Sequence, residues 1–212
     1  AACQCYGGST VGGFFARSNA LLLALVLLTA AATSRPLFVA ATLARLALRL
    51  AAMPFIWEVE VWAALMDLTL LAARCDVRRA AGAIRAQMII FYAGAAFWKI
   101  NTSFLEARTS CGTIFFAQLI AAYAPAPLVE SPTVAWLLRA GAPAAALATE
   151  IAVPVLLLAW RNAGLGLALL FHLLVVLTPP PNNAGGFSVC AAQYLFFFAP
   201  DAAAATLAEL RA

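Results

Sequence analysis

The chain has 212 residues, 65% of them hydrophobic and only 10% charged, with a net charge of +4. Ordinary soluble domains are roughly half apolar and a quarter charged, so a water-soluble fold would have no means of covering this much apolar surface. The positive charge sits on arginines near the ends of apolar blocks, where they reach headgroups, and no basic run is interleaved with aromatics, so a nucleic-acid partner has no support.

The apolar residues fall in blocks of roughly 15 to 25, the length a helix needs to cross a bilayer. Runs such as "LLLALVLLTAAAT" do not alternate, which sets aside a β-barrel. The expected fold is therefore all-α, a polytopic transmembrane bundle of about six to eight helices. Residues 1–18 form an N-terminal segment, 19–200 the transmembrane domain and 201–212 a C-terminal tail.

The first block, Ala20 to Thr33, follows Arg17 and fits two readings. It is a first span, or a secretory signal with a small-residue site at Ala30 and Ala32; the apolar block that follows at once favours the span. A start at Ala1 fits a processed N-terminus or a fragment. Pro36 opens a second helix to Met53, with Arg45 and Arg49 four residues apart on a face that needs headgroups, water or an acidic partner. The third block begins at Pro54 and carries Trp57, Glu58, Glu60, Trp62 and, deeper, Asp67; the tryptophans have the look of an interfacial belt.

"RCDVRR", residues 74–79, is the densest basic loop and by the positive-inside tendency is cytoplasmic. The fourth helix runs from Ala80 to Ile100. Residues 101–132 are too interrupted for a crossing and read as a loop with an amphipathic or re-entrant helix. A helical stretch from Trp136 and Arg139 breaks near Gly141 and Pro143, and Ala144–Trp160 forms the next span. "RNAG" turns the chain into Gly164–Thr178, "PPPNNAGG" ends that helix, and Phe187–Ala199 makes a short aromatic last span. No internal repeat supports a transporter built from duplicated halves.

Charges at bilayer depth cost several kcal/mol unless paired or wet, so buried ionisable groups are functional candidates. Four stand out: Asp67, Glu150, the only lysine, Lys99, and the only histidine, His172. They come from four helices whose side chains can converge in a bundle. Lys99 either snorkels to headgroups, with Asn101 capping the next stretch, or points inward and serves as a general base. Ala93, Gly94, Ala95 and Ala96 before it leave room for another helix or a flat ligand. His172 bonds a neighbouring carbonyl or relays protons. Glu150 is expected to pair with Arg139 or Arg161, and Pro154 frees a backbone carbonyl near it; Asp67 is expected to neutralise Arg45 or Arg49. The five cysteines include no Cys-x-x-Cys pair and no neighbouring histidine, so no metal site is indicated; Cys3 and Cys5 would pair with distant partners only in an oxidising lumen, and free thiols in apolar surroundings are the favoured reading.

Two stretches carry a resemblance. "IIFYAGAAFWKINTSFLEARTS" resembles the segment of the vitamin K-dependent γ-glutamyl carboxylases, and of the wider horizontally transferred transmembrane (HTTM) domain family, in which a small-residue helix leads into K-L-(D/N)-x-x-(W/F). "TEIAVPVLLLAWRNAGLGLALLFHLLVVLTPPPNNAGGFSVCAAQYLFFF" looks like the family's later block, with Glu150, Arg161, Phe171, His172, Phe187 and Ser188 in the corresponding places. The likeness covers residues from about 80 to 200; before that, "FIWEVEVW" lacks the Asn-His pair common in the family. The carboxylases also continue into a large lumenal domain, so this chain fits a fragment or a minimal relative.

The resemblance implies that Lys99 is the catalytic base, with His172 beside it, and that Tyr92, Gly94, Trp98, Asn101 and Glu150 contact substrate. It implies a reduced vitamin K-type quinone as cofactor or substrate, lyase chemistry by carboxylation and quinol epoxidation, and a multi-pass location in the endoplasmic reticulum or another internal membrane. The partners are then the lipid bilayer and a lipid-soluble small molecule. Two other readings stay open: a non-catalytic or transport-type membrane protein with Lys99, Glu150 and His172 lining a polar pocket, and a structural subunit of a larger membrane complex.

Overall fold

The computed structural model describes residues 35–51, 58–74, 76–179 and 184–199, and all regular structure among them is helical. In chain order the helices are α1 (Arg35–Ala51), α2 (Glu58–Ala72), α3 (Val77–Trp98), α4 (Thr102–Leu105), α5 (Cys111–Tyr123), α6 (Ala126–Val129), α7 (Pro132–Ala159), α8 (Arg161–Leu177) and α9 (Ala184–Ala192), followed by a 3-10 turn at Leu195–Phe198. The first block, at Ala20–Thr33, the tryptophan at Trp57 and the tail after Asp201 lie outside the described residues.

Among the described residues two helices, α3 and α7, are long and apolar enough to cross a membrane, while α5 and α8 are shorter apolar helices. Each long helix buries one narrow stripe. In α3 it is Ala80, Ile84, Met88, Phe91, Tyr92 and Ala96, at the three- and four-residue spacing of one helical face. Asp76 fixes its start, because its carboxylate accepts the backbone N–H groups of Arg78 and Arg79 at 3.0 and 3.3 Å.

The described residues form two compact units. One contains residues 35–51, 58–74, 76–88 and 193–199; the other contains 89–179 and 184–192. In the first, α1 packs on α2, and Val59, Ala63, Met66 and Leu70 make the buried face of α2. Asp67 lies on the same face with no exposed surface. Its carboxylate accepts from Arg45 (Nε at 2.8 Å, and Nη2), from Arg49 Nη1 and from the Tyr194 hydroxyl at 2.7 Å. Arg49 also donates to Glu60 at 2.7 Å. The acidic partner demanded by the arginine face is thus supplied from within, and Asp67 serves both arginines rather than one.

In the second unit α7 and α8 form a tight antiparallel hairpin on which α5 and α9 pack. One residue, Trp160, separates the two helices. The corner closes because Gly164 brings the first turn of α8 against the last turn of α7: a Cβ there would lie 2.3 Å from the backbone nitrogen of Leu157. A backbone atom cannot yield as a side-chain tip can, so Gly164→Ala is expected to cost about 2 kcal/mol or more. Thermal unfolding in detergent checks this, with Gly166→Ala, whose added carbon would meet nothing within 4 Å, expected to be harmless.

Three sequence expectations are corrected here. Instead of breaking near Gly141 and Pro143, α7 runs unbroken from Pro132 to Ala159 with Pro143 and Pro154 inside it. A proline removes one backbone bond per turn, a loss that neighbouring helices offset when the flanking residues are packed, and Ala142 and Pro143 are buried. The last aromatic span is interrupted after Ala192, and Leu195–Phe198 continues as a 3-10 turn belonging to the other unit. Cysteines are not all thiols: Cys111 is disulfide-bonded, whereas Cys190 is buried and outside any disulfide.

Candidate functional site

The stripe of α8 that faces α7 reads Gly164, Ala168, His172, Val175. Two small residues let the helices approach closely, and the imidazole follows on the same face, two turns beyond the corner. From the Gly164–Leu157 contact, His172 lies about 12 Å along α8 and Glu150 about 10 Å back along α7, so the two groups stand at nearly the same height in the hairpin. Both are buried, His172 to 2% exposure and Glu150 to 8%.

The C-terminal half of α3 and the residue that follows it supply a partner for each. Tyr92 and Lys99 are seven residues apart, which puts them on one face. The Tyr92 hydroxyl lies 2.6 Å from His172 Nε2, and Lys99 Nζ donates to Glu150 Oε2 at 2.6 Å. The Glu150 carboxylate also acts electrostatically on the Tyr92 phenol, which brings the two pairs within reach of each other. Lys99 is the more open member, with a third of its side chain exposed against a tenth for Glu150.

Aromatic rings line the imidazole. Phe171 and Phe187 lie with centroids 5.3 and 6.2 Å from it, and Phe91 packs on both Tyr92 and Phe187 at 5.4 and 6.1 Å. His172 Nδ1 finds no hydrogen-bond partner, and neither does the buried Ser188 hydroxyl next to Phe187. If the phenol donates to Nε2, Nδ1 carries the proton and is left as a donor in apolar surroundings, an arrangement that favours a ligand oxygen there.

No protein family, curated protein or solved structure matches this chain. Its chemistry is therefore argued from the geometry of the site.

Of the residues singled out in the sequence, Lys99, Glu150, Tyr92 and His172 come together. Asp67 belongs to the other unit, where its oxygens are taken up by Arg45, Arg49 and Tyr194. Glu150 pairs with Lys99 instead of Arg139 or Arg161. Arg139 lies three turns earlier on the same helix, about 16 Å away, and Arg161 lies past the corner at Trp160, so neither reaches it. Pro154 lacks the N–H that would bond the Glu150 carbonyl, which leaves that oxygen without its usual helical donor.

The remaining candidates are less central. Asn101 caps α4, its Oδ1 accepting from the Phe104 backbone at 2.9 Å, which is the capping role expected of it. Trp98 is 78% exposed, and a Cβ at Gly94 would meet no heavy atom within 4 Å, so none of the described helices packs on that glycine. Phe91 was not legible as a site residue. Its only sequence signal is adjacency to Tyr92 at the point where the buried stripe of α3 is two residues wide.

Tyr92→Phe removes the partner of His172 Nε2. Hydrogen bonds between apolar helices average below 1 kcal/mol and unmet buried groups cost 1–3, so a loss of about 1 kcal/mol is expected. The check is the unfolding midpoint in detergent, together with the Tyr92→Phe, His172→Phe double variant, in which part of the loss should return.

Proposed function

We propose that this chain is a multi-pass membrane protein of the HTTM and vitamin K-dependent γ-carboxylase-like group. Its two polar pairs form one proton-transfer site for a lipid-soluble, quinol-type substrate, with Lys99 as general base. The membrane reading draws support from α3 and α7 and from the bare apolar flank of the hairpin, where Val155, Leu158, Leu170 and Leu173 are 55, 70, 52 and 53% exposed. Water would not leave that surface uncovered, and lipid tails would match it. The endoplasmic reticulum or another internal membrane, which the resemblance implies, belongs to the same proposal.

The observation that carries the reading is the pair of 2.6 Å contacts made from one face of α3 to two groups at one height in the hairpin. When a substrate covers the pair and excludes water from it, a proton shift from Lys99 Nζ to Glu150 Oε2 would turn the ion pair into an amine and an acid. The free amine is then placed to take a hydroxyl proton, and its single carbon stem leaves Nζ room to turn toward a substrate. His172 Nδ1 would hold the substrate's oxygen, and Phe91, Phe171 and Phe187 would flank a flat ring and exclude water. A reduced naphthoquinone bound there would supply the reducing equivalents on which carboxylase chemistry depends.

The test is binding of a reduced naphthoquinone to the protein in nanodiscs. Saturable binding that weakens about tenfold in His172→Ala, the loss of one buried hydrogen bond, is expected. Binding absent from the native protein, or indifferent to His172, would defeat the proposal.

A further inference from the structure

The site has two unequal ends. Toward the corner at Trp160 it is closed by apolar packing: Val153, Leu157 and Ala168 are buried to 1, 4 and 0% exposure, and Gly164 is pressed on Leu157. Toward the other end lies the connection from α3 to α5, residues 100–110, which starts beside Lys99. Its helical turn, α4, packs on α7, and its exposed side chains are Asn101, Thr102, Ser103, Glu106, Arg108 and Thr109 with two aliphatic neighbours.

The height of this connection is set by α5. At one end a Cβ on Gly112 would touch Ala146 on α7; at the other, the Tyr123 hydroxyl donates to the Leu177 carbonyl at the end of α8 at 2.8 Å. A Cβ on Gly112 would also approach the Ala142 carbonyl; Ala146 and Ala142 lie about 21 and 27 Å from Trp160 along α7 and Leu177 about 26 Å along α8, so both ends of α5 contact the part of the hairpin far from Trp160. A span of that length approaches the hydrocarbon thickness of about 30 Å, which puts Trp160 and α5 at opposite faces of the bilayer. Glu150 then sits about 6 to 12 Å along α7 from its contacts with α5, and the connection climbs from that depth to the surface.

Irregular backbone at membrane depth is tolerated only where protein buries it or water lines it, and exposed carboxylate and guanidinium groups in hydrocarbon would be costly. Within this segment Ser110 is buried and Phe104 and Ala107 are half-buried, and the other side chains are exposed. Resting on the proposed membrane reading, we propose that residues 100–110 line an aqueous antechamber through which Lys99 exchanges its proton with water on the α5 side alone. The amine gains a proton when the substrate O–H bond breaks. The N–H bond of the resulting ammonium then breaks in turn, its electron pair stays on nitrogen, and the proton passes to water as hydronium. The exposure gradient from Glu150 to Lys99 runs in that direction. The antechamber therefore makes proton release one-sided.

Labelling by a charged, membrane-impermeant thiosulfonate tests this in the full chain in proteoliposomes, without any substrate. Thr102→Cys and Arg108→Cys are compared with Leu173→Cys, a half-exposed α8 position at the height of the site, after subtraction of the unsubstituted protein's signal. Since thiolate reactivity requires water, the two connection positions are expected to label at least about tenfold faster than position 173, and from one side of the membrane only. Slow labelling at all three positions would overturn the antechamber while leaving the membrane reading in place. Fast labelling at all three would overturn both, and labelling of the connection from either side would overturn its one-sidedness.

Discussion

Replacing Asp67 by alanine is expected to destabilise the protein by about 3–5 kcal/mol, the range for removing one member of a buried ionic group. The carboxylate has no exposed surface, and Arg49 is only 5% exposed. Two guanidinium groups and a phenol converge on it, and Arg49 would keep only Glu60 while Arg45 would keep only Gln193 among the contacts described. A lone exposed ion pair would be worth a small fraction of this, so the size of the effect separates a buried keystone from a surface bridge. Thermal or denaturant unfolding in detergent gives the value. A second substitution that removes one of the two arginine charges, Arg49→Met, should restore part of the loss, because the penalty comes from excess buried positive charge more than from a missing attraction.

Replacing Lys99 by alanine is expected to leave the fold largely intact and to lower proton abstraction from a reduced naphthoquinone by about 10²–10⁴-fold, the usual contribution of a positioned acid or base. Stability should fall less than for Asp67, since a third of the lysine side chain already meets solvent. Lys99→Arg should not rescue the rate, because a guanidinium keeps its proton and cannot become a neutral base. Glu150→Gln should slow the reaction as well, by removing the acceptor for the Nζ proton while keeping the shape of the side chain. Oxygen-dependent consumption of the quinol, followed spectroscopically, distinguishes these outcomes: an unchanged rate in Lys99→Ala would remove the lysine from the chemistry.

Much of this site can be read from residue types alone. The cost of charge in an apolar helix marks Lys99, Glu150 and His172, and the blocks bounded by Pro36, the basic run before α3 and the prolines after α8 place three helices within a few residues. What the sequence does not reveal is which charge meets which. Glu150 has two arginines nearer in sequence than Lys99: the unbroken run of α7 rules out Arg139, about 16 Å away on the same helix, and the corner at Trp160 rules out Arg161. The continuity of α7 was hidden for a related reason. Pro143 and Gly141 read as punctuation locally, whereas packing of the flanking residues decides whether the helix survives them. The pairing of Asp67 is likewise a matter of partners: Tyr194, far along the chain, is the group that completes its hydrogen bonding.

Isotope-edited infrared difference spectroscopy on nanodisc-embedded protein, with glutamate carboxyls labelled with carbon-13, tests the central claim most directly. Addition of a reduced naphthoquinone should produce the carbonyl stretch of one newly protonated glutamic acid, and the band should vanish in Glu150→Gln. Binding of the quinol with no glutamate changing protonation, or with a band that persists in Glu150→Gln, would contradict the account.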